Sequence, residues 1–195
     1  MSVKIGVAGP VGSGKTSIIE QLTNILKDKY SLGIVTNDIY TKEDANYLKS
    51  HLDIEDGRII GVETGGCPHT AIRDDISANA KAIQILEQEF SPDIIFVESG
   101  GDNLSATFSY ELVDYYFYVI DVAQGADIPR KKGAGLLFSD LLIVNKTDLA
   151  PYVDVNIESM EKDVKENRKN KPYLFLSKKN NSIDRLYAWI EALVA

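Results

Sequence analysis

A chain of 195 residues with 44% hydrophobic content is long enough to bury most of its apolar surface as one domain, without disulfides or metals to staple it. A lone cysteine excludes an internal disulfide; with no secretory leader visible and no apolar run of membrane-spanning length, the composition reads as a reducing, cytoplasmic protein. A formal net charge of −8 argues against nucleic acid or an anionic membrane as the main partner, and suits basic proteins or metal ions. In chain order, VKIGVAG (3–9) reads as a buried strand and 15–28 as the helix after it. A second strand follows at 32–36, then a helix over about 42–50 with Tyr47 and Leu48 on its inner face, and a third strand at 58–63. Ile72, Ile76, Ala80, Ile83 and Leu86 recur at helical spacing, which predicts one long amphipathic helix over 70–90. Four more strands are expected at 93–99, 115–122, 141–145 and 173–177, with helices over 155–168 and 183–194. Apolar runs without alternation belong to strands covered on both faces. The expected fold is therefore α/β: a three-layer P-loop NTPase with a mostly parallel, roughly seven-stranded sheet between helices, in a single domain over 1–195. Ligands of such sheets sit at the carboxyl ends of the strands, where all the motifs below fall.

GPVGSGKT (9–16) matches G-x-x-x-x-G-K-[ST] between a strand and a helix, the context that makes it a phosphate loop. Gly9, Gly12 and Gly14 let backbone N–H groups approach a phosphate without Cβ clashes, and the helix N-terminus favours anions. Lys15 is expected at the β- and γ-phosphates and Thr16 on Mg²⁺, with Ser13 and Ser17 completing the nucleotide contacts. Asn145-Lys146-Thr147-Asp148 after the strand LLIVN is the N-K-x-D pattern of GTP binding. The Asp148 carboxylate can accept two parallel bonds from the guanine N1–H and N2–H₂ edge, which adenine lacks, so a site built this way rejects adenine. Lys146 is expected along the base, and Asn145 to tie its loop to the phosphate loop. Ser177 is a candidate to offer its backbone N–H to the guanine O6.

Three acidic residues at strand carboxyl ends are candidates for Mg²⁺ and the attacking water: Asp38, Glu63 and Glu98. Asp38 and Glu63 join Thr16 as expected magnesium ligands; with Lys15 and Glu98 they form the expected catalytic set. Gly100 and Gly101 can bring backbone N–H groups to the γ-phosphate. Glu43, Asp44 and Asp102 read as solvated loop residues. Arg130 is a candidate for a contact across a subunit interface.

The segments GPVGSGKT, TNDIYTKEDA, VETGGCPHTAIR, ESGGDNL and NKTDLAP, in this order, resemble the UreG family of urease accessory G proteins, part of the SIMIBI class of P-loop GTPases. The resemblance runs from Lys4 to about Pro151, and more loosely beyond. It implies a seven-stranded, mostly parallel sheet and a cytoplasmic GTPase, slow when alone, that delivers Ni²⁺ to apo-urease. It also implies a homodimer when GTP and metal are bound, assembly with UreF and UreD/UreH, and UreE as nickel donor. Residue by residue, it implies nickel or zinc (Zn²⁺) at Cys67 and His69, phosphate or Mg²⁺ at Lys15, Thr16 and Asp38, a switch role for Glu63, and guanine at Asn145, Lys146 and Asp148. The segment after Pro129 departs from the family pattern, closer to RKGGPG, and reads RKKGAGLLF (130–138) here.

Cys67-Pro68-His69 pairs the lone cysteine with one of two histidines, directly after Gly65-Gly66. By itself a single cysteine is read equally as a buried packing residue. The adjacent histidine and the glycine hinge favour a ligand pair, soft enough for Ni²⁺ or Zn²⁺ and unsuited to Mg²⁺. His51 reads as a solvated surface residue, so two ligands fall short of the usual four. A two-fold dimer supplying S₂N₂ is the economical completion. The rival readings are the HypB family of hydrogenase maturation, which usually carries more cysteines, a P-loop small-molecule kinase, in which N-K-x-D has no role, and a nucleotide-gated scaffold without significant turnover.

Overall fold

Seven short runs rich in β-branched and aromatic residues form the strands β1 (Val3–Ala8), β2 (Leu32–Asp38), β3 (Ile59–Glu63), β4 (Ile94–Glu98), β5 (Tyr115–Asp121), β6 (Leu141–Asn145) and β7 (Tyr173–Phe175). The computed structural model describes residues 2–39, 41–66, 68–101, 104–179 and 182–194. All six strand pairings are parallel, in the order β3-β2-β4-β1-β5-β6-β7. Helices α1 (Lys15–Leu26), α2 (Glu43–His51), α3 (Pro68–Arg73), α4 (Ser77–Phe90), α5 (Ala134–Phe138), α6 (Ile157–Arg168) and α7 (Ile183–Val194) cover the two faces.

The two-residue period of the strands splits the core into two layers. Ile5, Ile34, Phe96, Phe117 and Ile143 point to one side, against Ile18, Ile19 and Leu22 of α1, Leu48 of α2 and Leu186 and Ile190 of α7. Val35, Val97, Tyr118, Ile120 and Val144 point to the other, against Ile72 of α3, Ile83 and Leu86 of α4, Leu136 of α5 and Met160 and Val164 of α6. No helix among the described residues is long and apolar enough to cross a membrane.

The order places β1 at the centre, with β2 and β3 reached on one side and β5 to β7 on the other. A chain that reverses direction in this way leaves a crevice beyond the carboxyl end of the switching strand. The phosphate loop fills that position.

Two expectations are corrected. The helix expected over 70–90 is two helices, α3 and α4, broken at 74–76. The backbone N–H groups of Asp74 and Asp75 both converge on the Thr70 carbonyl and close α3. The Asp75 carboxylate then accepts from the Ser77 N–H at 3.2 Å and hydroxyl at 2.7 Å, a local bond that competes with continued helix. The apolar repeat survives the break because both helices face the same core layer, but its phase slips: Ala80 is exposed and Asn79 points inward instead. In α2, Leu48 is buried but Tyr47 is 40% exposed, donating from its hydroxyl to Glu20 and stacking on the exposed His51.

Candidate functional site

The loop between β1 and α1 bends through left-handed backbone at Gly12 and Gly14. Gly14 has a second reason to lack a side chain: a Cβ there would stand 2.5 Å from the Asn145 amide nitrogen. That amide donates to the Ser13 carbonyl at 2.9 Å, tying the loop after β6 to the phosphate loop. The Asn145 carbonyl oxygen accepts from the Lys146 N–H at 2.8 Å, which fixes the left-handed turn at Lys146. The Lys146 ammonium donates to the Gly12 carbonyl and, at 3.2 Å, to the Asp121 carboxylate. The stem of Lys146 is therefore laid across the mouth of the loop by a buried carboxylate at the end of β5.

Asp148 lies beyond this turn, where its carboxylate accepts from the Ser177 hydroxyl at 3.2 Å. The Thr147 N–H and hydroxyl both donate to the Leu176 carbonyl at 3.0 Å, fastening the β6 loop to the β7 loop. Gly14, Ser17, Ile18, Lys146, Asp148 and Leu176 border a cavity of about 360 Å³, apolar on the side of Ile18, Leu149 and Ile183 and polar at Asp148. A flat base with one polar edge fits that lining. The Ser177 N–H, a candidate partner of a base carbonyl, is engaged by the Ser182 hydroxyl at 2.9 Å.

A second cavity of about 480 Å³ shares Gly14, Ser17 and Lys146 with the first, so the two are continuous along the loop. It is lined further by Gly12, Lys15, Thr16, Asp38, Asp44 and Gly101. Gly9 is buried behind it, where a Cβ would overlap the Val119 carbonyl at 2.1 Å. Lys15 donates to the Pro10 carbonyl at 3.4 Å. The Thr16 hydroxyl donates to Glu98 at 2.6 Å and lies 3.4 Å from the Asp44 carboxylate. Burial pushes the fully buried Glu98 carboxyl up to about 7, against the opposing pull of Lys15. Burial also raises Asp44, again opposed by Lys15. Asp38 accepts from the Ile39 N–H at 2.6 Å and from the Thr41 hydroxyl, at the rim of the same cavity.

Two buried polar atoms face this region without a partner among the described residues, Glu98 Oε2 and the Ser13 hydroxyl. Buried oxygens of this kind are rare in folded proteins. A hydrated divalent cation beside Thr16 would satisfy the first, and a phosphate oxygen within the loop would satisfy the second. The residues present thus fit a magnesium-bound nucleoside polyphosphate.

Glu63 is the candidate that the structure keeps apart. Although it is the register partner of Asp38, its exposed carboxylate lies 3.9 Å from the Lys42 ammonium and borders a separate cleft with Thr70 and Asp75. Arg130 pairs within the chain, at 3.2 Å from Asp163 of α6. Cys67 and Asp102 lie outside the described residues. His69 stands half-buried in α3, and no group of three or more His, Cys, Asp or Glu among the described residues is arranged to hold a metal. Thr64 and Gly65, leading to that segment, donate their N–H groups to the Asp38 and Ile39 carbonyls at 2.9 and 3.1 Å. The backbone that carries Asp38 is thus bonded directly to the chain entering Cys67-Pro68-His69.

Two residues escaped the sequence reading. Asp121 ends a buried strand, as Glu98 does, and that position was its signal. Asp44 had no signal: it and Glu43 are adjacent acids in one helical turn, and only the packing of α2 against α1 turns Asp44 toward Thr16.

Comparison with known proteins agrees with this geometry. A family profile described as CobW/HypB/UreG, nucleotide-binding domain, matches residues 3–175. The chain is 77% identical over 195 residues to the urease accessory protein UreG of Aliarcobacter butzleri, covering 100% of both chains. It is 56% identical over 191 residues to UreG of Lysinibacillus sphaericus, covering 97% of this chain and 91% of that one. Among solved structures, HypB from Archaeoglobus fulgidus superposes with a TM-score of 0.81 at 21% identity, covering 100% of this chain and 91% of that one. HypB from Helicobacter pylori, in complex with nickel, gives 0.82 at 22% identity, covering 99% and 87%. At these identities the two HypB structures speak to the fold.

Proposed function

The chain belongs to the CobW/HypB/UreG family of nucleotide-binding proteins and, within it, to the urease accessory proteins UreG; from that premise we propose that it is a GTP-hydrolysing nickel chaperone for apo-urease, working as a nucleotide-gated dimer. The observation that carries the nucleotide half is the bond from Asn145 to the Ser13 carbonyl, which joins a base-reading loop and a phosphate loop around one continuous cavity.

Asp148 reads the guanine edge, with Lys146 along the base. The backbone from Gly9 to Thr16 cradles the phosphates, with Ser17 and Gly101 beside them and Lys15 moving from the Pro10 carbonyl to the β- and γ-oxygens. Thr16, with Asp38, Asp44 and Glu98 around it, would hold Mg²⁺, which when bound would supply charge neutralisation at the phosphates. When Asp38 turns from the Ile39 N–H toward that site, Thr64 and Gly65 follow through their bonds to the Asp38 and Ile39 carbonyls. Glu63 is drawn along on the neighbouring strand. This movement presents Cys67 and His69 at the surface between two copies, where two thiolates and two imidazoles complete a Ni²⁺ or Zn²⁺ site. Hydrolysis removes the γ-phosphate, the segment relaxes and the cargo is released.

Nickel is the cargo rather than a resident cofactor, a reading supported by the nickel complex of HypB. The expected partners are UreF, UreD/UreH, the nickel donor UreE and apo-urease, in the cytoplasm. The test is native mass spectrometry with nickel and a non-hydrolysable GTP analogue. One nickel per two chains is expected for the parent, and Cys67→Ala should bind the analogue but stay monomeric. One metal per chain without a dimer, or a Cys67→Ala dimer that needs nickel, would sink the shared-site proposal.

A further inference from the structure

Asn37 and Asn79 are both fully buried, Asn37 next to last in β2 and Asn79 in the first turn of α4. Their amides are paired reciprocally: each donates to the other's carbonyl oxygen at 2.9 Å. Each has one N–H left, and each uses it on a backbone carbonyl at 2.9 Å, Asn37 on Glu98 and Asn79 on Ala71. All four amide N–H bonds are therefore spent in a bridge from the carboxyl end of β4 to α3.

The two ends of this bridge belong to different sites. Glu98 receives the Thr16 hydroxyl, and Asn37 is the immediate neighbour of Asp38, so one end stands on the phosphate side. Ala71 is two residues beyond His69 in the same six-residue helix. Its carbonyl is among the last four of α3 and has no partner inside the helix. Asn79 supplies that partner, while the Ser109 N–H takes the Ile72 carbonyl at 2.9 Å. On its other side α3 is entered through Gly66 and the left-handed Gly65. The helix bearing His69 is thus entered through two glycines and fastened behind by two bonds, one of which runs through the amide pair.

Packing alone gives no reason for amides here. The pair sits beside the layer of Val35, Ile72, Ile83 and Val97, which an apolar pair of similar shape would fill without desolvating two amides, though it would leave the Glu98 and Ala71 carbonyls without these donors. What apolar groups lack is directional bonds to both the Glu98 and the Ala71 carbonyls. We propose that Asn37 and Asn79 are positioning residues that transmit the nucleotide state from the ends of β2 and β4 to α3, and so set the placement of its metal-ligating segment. The proposal rests on the nucleotide–nickel coupling proposed above.

The experiment measures nickel affinity with and without magnesium and a non-hydrolysable GTP analogue. It compares the parent, Asn79→Ala and the apolar double variant Asn37→Val with Asn79→Leu. In the parent the analogue should tighten nickel binding. In both variants it should tighten it about tenfold less, a typical allosteric coupling, while Asn79→Ala binds the analogue itself within about threefold of the parent. A purely structural pair predicts the opposite for the double variant, in which packing is restored: full coupling in either folded variant overturns the proposal. Hydrogen exchange on the parent chain does not depend on any variant folding. The analogue should change protection of the Asp74 and Asp75 amides that close α3, and unchanged exchange there overturns the proposal. A parent whose nickel affinity ignores the nucleotide overturns the underlying coupling as well, and is recognised because it appears before any substitution is made.

Discussion

Glu98 is fully buried and accepts from the Thr16 hydroxyl at 2.6 Å. Its carboxyl is raised from the ordinary 4.5 to about 7 by burial, with Asp44 and Asp38 nearby and Lys15 opposing. Between those two values the unfolded chain has released this proton and the folded chain still holds it. Stability from this group is therefore complete below 4.5 and is lost as pH rises through about 7. Glu98→Gln keeps an acceptor for the Thr16 hydroxyl but has no charge to bury. Its melting temperature should exceed the parent's above pH 7, and the gap should close toward pH 4.5, as calorimetry across pH would show. The same variant should lose roughly 10–100-fold in magnesium-dependent GTP hydrolysis, the usual cost of removing a group that supports a metal site. In the proposed magnesium site the carboxylate must be ionised, so magnesium affinity of the parent should rise with pH up to about 7 more steeply than that of Glu98→Gln.

At the scale of elements, the breaks decide more than the runs do. The apolar repeat crosses 74–76 because α3 and α4 face one core, yet the Asp75–Ser77 bonds end one helix and start another. That slip of phase is what turns Asn79, and not Ala80, toward Asn37. A second break lies in the segment RKKGAGLLF (130–138). Lys132 stands at φ 54 between the turn Ile128–Lys131 and α5, a left-handed conformation that costs a side chain roughly 1–2 kcal/mol and glycine little. Its side chain is exposed, and Gly133 follows it. Lys132→Gly should therefore stabilise the fold by about 1 kcal/mol, a rise of roughly 2–4 °C in melting temperature for a chain of this size. A lower melting temperature would show that the lysine makes a compensating contact.

For the whole molecule, the nucleotide cavity is assembled from opposite ends of the chain. Gly14 comes from the loop before the first helix and Ile18 from that helix, Asp148 from the loop after β6, and Leu176 and Ile183 from the region around β7 and α7. A ligand that fills it adds contacts to the Asn145–Ser13 and Thr147–Leu176 bonds that already join these elements, so binding and global stability are linked. GTP at a hundredfold its dissociation constant should add about 2.7 kcal/mol. Asp148→Ala should lose most of that thermal shift with GTP, because the guanine N–H donors are left unpaired, and ATP should shift neither chain. An equal GTP shift in Asp148→Ala would place the base elsewhere.

The sequence by itself determined the class of fold, the parallel sheet and the strand ends at which Lys15, Thr16, Asp38, Glu98, Asn145 and Asp148 stand. Those follow from short-range rules: uninterrupted apolar strands need two covered faces, and glycines mark where backbone must approach a ligand. Only the tertiary structure decided that Asp44 turns toward Thr16, that Glu63 faces Lys42 away from the phosphate cavity, that Asp121 holds Lys146, and that Asn37 meets Asn79. Each of these joins side chains from separate elements, and their meeting depends on helix phase, strand order and packing angle, which no local pattern of residues encodes.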